Sequence, residues 1–420
     1  MITIEEKKNC AGCTACACVC PKNCIKMVED EEGFLYPQVD KEQCIQCGLC
    51  EKICPVTCAR NEEKKSYPTA YLGYENNDAS RKESAAGGAF YSLAKMFIEQ
   101  KKGVVFGVIY DDNFKAIHSC AQTVQELKKM QRSKYVQSDL GSSFLEVKKY
   151  LGEGRYVMFS GTPCQIYGLK AFLRNVDTKN LYCIDLSCHG VPSPKLLREY
   201  LKYQEKEHDS KIADFRMRDK RLMKDAYEQG FGIDFKNGET YFGNHTEDLY
   251  ARCFWGEIAS RPSCYECVFK TIWRISDLTL GDCWFFERFV RKEKDNLGVT
   301  MVLVQSEKGK ILLDEMENFV MYEVDAERLI KANGGMIYES AKMHPERKEF
   351  FEQLGQVPFE ECVKNFFPDK PVSKKTKLKK LLENKGIRLE FLRKISRNRR
   401  LERIISESRI PEASKGIKKV

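Results

Sequence analysis

Cys10, Cys13, Cys16 and Cys20 stand at C-x2-C-x2-C-x3-C spacing with Pro21 behind them, and the same pattern returns as Cys44, Cys47, Cys50, Cys54 and Pro55, 34 positions later. Thiolates are soft donors. Two-residue spacers let one loop aim three of them at corners of an iron–sulfur cube, while the fourth, before proline, leaves on a helix toward the other cube. The repeat therefore predicts two 4Fe-4S clusters. Cys10, Cys13, Cys16 and Cys54 hold one; Cys44, Cys47, Cys50 and Cys20 hold the other. Structural zinc is the weaker reading, because it favours paired C-x2-C units across a longer loop. Cys18, Cys24 and Cys58 fall outside the pattern and read as small hydrophobes packed near the clusters.

Eleven of the 20 cysteines lie between Cys10 and Cys58. Spacing this tight suits metal ligation better than a disulfide framework. The longest run without Asp, Glu, Lys or Arg is Tyr156 to Leu169, 14 residues containing Pro163, short of the roughly 20 apolar residues of a membrane span. The first residues, Met1 to Lys8, contain no apolar leader. A cytoplasmic protein with reduced thiols is expected. Residues 370–420 hold 18 Lys or Arg against 5 Glu, a net of +13, so the rest of a chain of total charge +9 is at −4. The pI is thus a property of the tail and no argument for nucleic acid.

The elements that must position this chemistry begin after a Cys-dense module, residues 1–62. The polar stretch Arg60 to Ser66 reads as a linker. Helical spacing runs from Ser84 to Lys101. Val104 to Tyr110, Tyr156 to Ser160, Leu181 to Leu186, Leu278 to Leu280 and Val299 to Val304 read as strands. Helices are expected over Pro163 to Leu173 and Pro194 to Lys206, and a hairpin over Phe231 to Phe242 around Asn237-Gly238. The expected fold is α/β with some antiparallel structure: a two-cluster module, a larger mixed domain in two regions (67–150 and 151–345), and a helical basic tail (346–420).

Short motifs punctuate the larger domain. Arg81-x-x-Ser84-x-x-Gly87-Gly88 precedes a helix, and paired glycines there let backbone N–H groups approach a phosphate. Ser133 to Ser138 (Ser-Lys-Tyr-Val-Gln-Ser), Gly161-Thr162-Pro163-Cys164-Gln165, Ser187-Cys188-His189-Gly190, Cys264-x-x-Cys267 and Gly281-Asp282-Cys283-Trp284 follow in that order. Residues 4–60 resemble the bacterial two-cluster ferredoxin module. The motifs together resemble the beta-subunit family of deazaflavin-coenzyme (F-420) hydrogenases and dehydrogenases, over about residues 4–345.

The resemblance implies a third 4Fe-4S cluster on Cys164, Cys188, Cys264 and Cys267. It implies FAD contacts from Ser84, Gly87, Gly88, Lys134, Tyr135, Gln137, Thr162, Gln165 and His189. One departure is Ala85 and Ala86, where family members tend to carry serines. The implied activity is that of an iron–sulfur flavoprotein oxidoreductase, suited to anaerobic conditions. It would move single electrons between clusters and FAD, and couple them to two-electron chemistry on a deazaflavin coenzyme or another organic substrate. The rival is a relay subunit that docks to a separate catalytic partner and turns over nothing itself. His118, His208, His245 and His344 read as surface or satisfied residues, and Cys120, Cys183, Cys253, Cys283 and Cys362 as packing residues. The tail, with Leu378, Leu381, Leu382 and Phe391 among its cations, reads as an amphipathic helix that packs on the body or docks to an acidic membrane surface or partner.

Overall fold

Val104–Tyr110, Val157–Gly161, Leu181–Leu186 and Leu278–Asp282 lie side by side as parallel strands. Parallel strands are stable only when both faces are covered, and these sequences are apolar on both. Val105, Met158, Ile184 and Leu280 face one side, against helix Ala89–Lys101. Val104, Phe106, Val157, Phe159, Leu181 and Cys183 face the other, against helices Ser143–Gly152 and Pro163–Phe172. The computed structural model describes residues 1–58, 66–221, 230–290, 296–333 and 335–369. Most of the expected linker and the basic segment beyond residue 369 lie outside the described residues.

Antiparallel strands complete an eight-stranded sheet in the order Phe319–Val324, Thr69–Glu75, Thr300–Val304, Leu278–Asp282, Leu181–Leu186, Val157–Gly161, Val104–Tyr110, Ala116–Ala121. A smaller antiparallel sheet, Thr240–Gly243, Phe231–Phe235 and Ile212–Met217, packs with helices Pro194–Glu207, Leu249–Trp255, Arg347–Gln353 and Phe359–Phe366 around Tyr200, Phe231 and Phe350. The fold is mixed α/β, and the hairpin turns at Gly238 with φ +90°. The helix expected from Ser84 begins instead at Ala89. Gly88, at φ +89°, is its N-cap, and a separate short helix, Asp78–Lys82, precedes it.

In the N-terminal module a hairpin, Ile25–Glu29 with Leu35–Val39, lies beside two short helices, Ala15–Val19 and Leu49–Lys52. The internal repeat is visible in the backbone. Gly12 and Thr14 flank Cys13 with φ of +70° and +60°, and Gln46 and Gly48 flank Cys47 with φ of +54° and +69°. These left-handed residues curl each loop so that its thiols line one cavity. Met1–Phe367 forms one compact unit. The fully buried Arg261 ties module to body: it donates to the carbonyls of Cys10 (2.7 Å) and Leu35 (3.0 Å) and stacks over Tyr36. Glu32 of the module pairs in bidentate fashion with Arg347 at 2.7 and 2.6 Å. Among the described residues no helix is long and apolar enough to cross a membrane.

Candidate redox site

The two N-terminal thiol sets separate as the repeat requires. Cys10, Cys13, Cys16 and Cys54 line one cavity, with Pro55 and Thr14. Cys20, Cys44, Cys47 and Cys50 line a second, with Pro21 and Gly48. Each set takes three thiols from one copy of the motif and the fourth from the other. Burial pushes the Cys16 thiol up to about 12, and the charges of Cys10 and Cys54 add to it. Such thiols give up their protons to a metal and not to water, so loading the site releases protons. The N–H of Ile2 donates to Cys50 Sγ at 3.3 Å. No three His, Cys, Asp or Glu side chains among the described residues are grouped as around a single ion. Thiols at the corners of a cube need no such convergence.

Cys24, read in the sequence as a small buried residue near the clusters, lies at the second cavity, whereas Cys58, read the same way, is exposed. Cys24 lines the wall, and its Sγ is 3.3 Å from Cys20 Sγ. Its hydrogen bond to Cys20 raises its own pKa to about 11, with burial and Cys44 adding to the rise.

Cys164, Cys188, Cys264 and Cys267 come from three separate stretches of chain and line one cavity of about 140 Å³. Two of them sit just past parallel strands, Cys164 after Val157–Gly161 and Cys188 after Leu181–Leu186. Burial pushes the thiols of Cys164, Cys188 and Cys264 upward, with neighbouring thiols adding to the effect. The set is a four-thiol site of the kind that could hold a cluster. Lys270, unread in the sequence, lines the cavity and donates to the carbonyls of Cys188 (2.6 Å) and Met336 (2.5 Å). It places a cation where a cluster would carry negative charge.

A larger pocket of about 310 Å³ opens beside this cavity, at the lower end of the range for small-molecule sites. Its floor is built from the carboxyl ends of the parallel strands: Gly107 and Val108, Ser160 and Gly161, Leu186 and Ser187, Gly281 and Asp282. That is where open α/β sheets bind ligands. Ser84, Gly88, Lys134, Tyr135, Gln137, Thr162, Gln165 and His189 all line it. Gly87 does not. It is packed behind the wall, its N–H bonded to Thr300 Oγ1 at 3.0 Å, and a Cβ there would lie 2.3 Å from the Gly73 carbonyl.

Gly88 caps helix Ala89–Lys101 without a side-chain hydrogen bond. The first N–H groups of that helix therefore remain available to an anion in the pocket. The loop before it is held by its carbonyls: Arg218 donates to Ala85 O (3.2 Å), and Lys220 to Ala86 O (2.7 Å) and Arg81 O (2.9 Å). Alanines at 85 and 86 offer no hydroxyls, but their backbone is clamped.

Several lining side chains are committed elsewhere. Gln137 donates to Ala11 O (3.1 Å) and accepts from Arg261 (2.8 Å), joining pocket to module. Gln165 accepts from the Thr162 N–H (2.9 Å) and donates to Ser138 Oγ (3.0 Å). His118 sits behind them. Its Nε2 lies 3.1 Å from the Ser160 carbonyl, which can only accept, so Nδ1 accepts from Ser138 Oγ at 3.0 Å. Lys134 donates to the carbonyls of Lys129 (3.1 Å) and Gln131 (2.6 Å), and burial pushes its pKa down to about 7, with Arg132 adding.

Paired thiol cavities on a mixed α/β body define an iron–sulfur electron-transfer protein. Residues 9–58 match the 4Fe-4S dicluster domain, and residues 154–328 match the C terminus of the beta subunit of coenzyme F420 hydrogenase/dehydrogenase. Residues 154–328 are thus similar to the C-terminal domain of that beta-subunit family, and a dicluster module stands in front of them. Among solved structures, a chain from the F420-reducing [NiFe] hydrogenase complex of Methanosarcina barkeri is similar at 16% identity, covering 72% of this chain and 94% of that one with a TM-score of 0.44. No curated protein matches.

Proposed function

We propose that this protein is an iron–sulfur flavoprotein oxidoreductase. In this reading Cys10, Cys13, Cys16 and Cys54 hold one cluster and Cys20, Cys44, Cys47 and Cys50 another. Cys164, Cys188, Cys264 and Cys267 hold a third, and the larger pocket takes FAD. The observation that carries it is a shared wall: Cys164, Cys188, His189, Gly190 and Val191 line both the four-thiol cavity and the larger pocket. A flavin bound there would exchange one electron at a time with the clusters and two with an organic substrate. The chain's own part is to hold the anionic groups at the N-terminus of helix Ala89–Lys101, to fix Gln165 and Thr162 through His118 and Ser138, and to keep solvent from the shared wall. A deazaflavin coenzyme or another hydride carrier is the proposed substrate class, and a redox partner protein or hydrogenase-type subunit the proposed exchange partner. We place the protein in a reducing, cytoplasmic and anaerobic setting.

Anaerobic iron, sulfide and flavin quantification tests this. About twelve irons and one FAD per chain are expected. Clusters without flavin would favour the relay reading, to which Ala85 and Ala86 lend support. Colourless, zinc-loaded protein would defeat both.

A further inference from the structure

The three thiol cavities differ in the charge of their walls. Among the described residues no Asp, Glu, Lys or Arg lines the first, that of Cys10, Cys13, Cys16 and Cys54; Ile2, Ile4, Met27 and Val56 stand there instead. At the second, the Met1 ammonium is paired with Glu51 at 2.8 Å and Lys22 is exposed. The inner cavity, that of Cys164, Cys188, Cys264 and Cys267, has Lys8, His189, Glu266, Lys270 and Arg274 in its wall. Lys8 and Glu266 form an exposed pair at 3.2 Å, and His189 is paired with Glu257. Arg274 is buried and faces the buried Asp185 at 3.9 Å, which offsets part of its charge. Lys270 is left. It is half-buried, its ammonium is held by the carbonyls of Cys188 and Met336, and no carboxylate among the described residues pairs with it. Carbonyls fix a cation in place without neutralising it.

We propose that Lys270 raises the reduction potential of the inner cluster above that of the first, so that the inner cluster fills before it and holds an electron at the wall of the larger pocket. The inference rests on the cluster reading above and adds to it a resting place for the electron. In the step, the first cluster gives up one electron and is oxidised, the inner cluster gains it and is reduced, and no bond is made or broken. The route is short, because Cys13 of the first set lies against the helix that carries Cys164. The added negative charge is met by a fixed ammonium across a wall of low dielectric, where a unit charge counts for far more than in water. At the first cavity the same charge arrives among apolar side chains, which disfavour it. Net charge and surroundings of this kind set cluster potentials.

The test is a potentiometric titration of the full-length chain, purified without oxygen and followed by EPR. Cys188→Ser and Cys16→Ser mark which signals belong to the inner and the first cluster. In wild type the inner cluster is expected to have the higher midpoint. Lys270→Met is expected to keep its iron and to lower that midpoint alone, by at least tenfold in the reduction equilibrium, which is about 59 mV for a one-electron couple. Lys270→Arg is expected to hold it near the wild-type value. The proposal is overturned if the first cluster of wild type titrates at the higher potential, or if Lys270→Met leaves the inner midpoint where it was. Should Lys270→Met not assemble the inner cluster, Lys270→Gln takes its place, and the order of midpoints in wild type still decides for or against. Wild-type protein with only about eight irons per chain would strike the three-cluster reading itself, and this inference with it.

Discussion

His118 shows how a buried residue behind the pocket holds its wall in shape. It is buried, stacked on Phe159 and held between Ser160 and Ser138. Burial pushes its pKa down to about 4. The folded protein therefore keeps the ring neutral over a pH range in which the unfolded chain, near 6.5, takes up a proton. Stability from this group is complete above that value and is lost as pH falls toward 4, on the order of 3 kcal/mol in all. Thermal unfolding of wild type and His118→Asn between pH 7 and 4 checks this. The variant's midpoint should fall less steeply, and parallel curves would refute the assignment. At the shared wall, Cys188→Ser should remove about four irons and leave the two N-terminal clusters in place, read by iron content and EPR. Unchanged iron would remove Cys188 from the ligand set.

At the scale of elements, helix Pro163–Phe172 is held closely between the sheet and the N-terminal module. Gly168 meets the module so closely that a Cβ would lie 2.8 Å from Cys13 Cβ and 3.0 Å from its Sγ. Gly168→Val should destabilise the fold by about 1–3 kcal/mol and alter the EPR signal of the Cys13 cluster, while a valine at the exposed Arg174 just beyond that helix should do neither. This helix was legible in the sequence, as were the parallel strands, because buried apolar runs and Gly-Thr-Pro or Asn-Gly turns are local signals. Strands Thr69–Glu75 and Phe319–Val324 were not. They pair with each other across the length of the chain, and nothing local announces that. Cys24 read as a small buried residue near the clusters and is buried there, while Cys58, read the same way, is exposed; the left-handed turn at Asn23 sends the first inward, and no sequence pattern separates the two. Gly87 read as a phosphate contact because a glycine pair does not say which member faces the ligand.

On the scale of the whole molecule, the module is fastened to the body by a few buried polar ties. Glu32 and Arg347 are joined by two hydrogen bonds and buried together. Breaking such a pair from one side leaves an uncompensated charge and costs about 3–5 kcal/mol. Glu32→Ala should therefore unfold at markedly lower denaturant, and Glu32→Leu/Arg347→Met should recover much of the loss. Equal stability of the single variant and wild type would show that the tie contributes little.

Cys164 and Gly168 are four residues apart on the same helix, so they share a face about one turn, some 6 Å, from each other. One belongs to the inner thiol set; the other touches Cys13 of the outer set. Tunnelling rates decay exponentially with separation, and under the proposed cluster assignment the gap between the two sets is spanned by a hydrogen-bonded rod. Breathing of the surface loops would then change the traffic of charge very little, because the gauge is set by helical pitch.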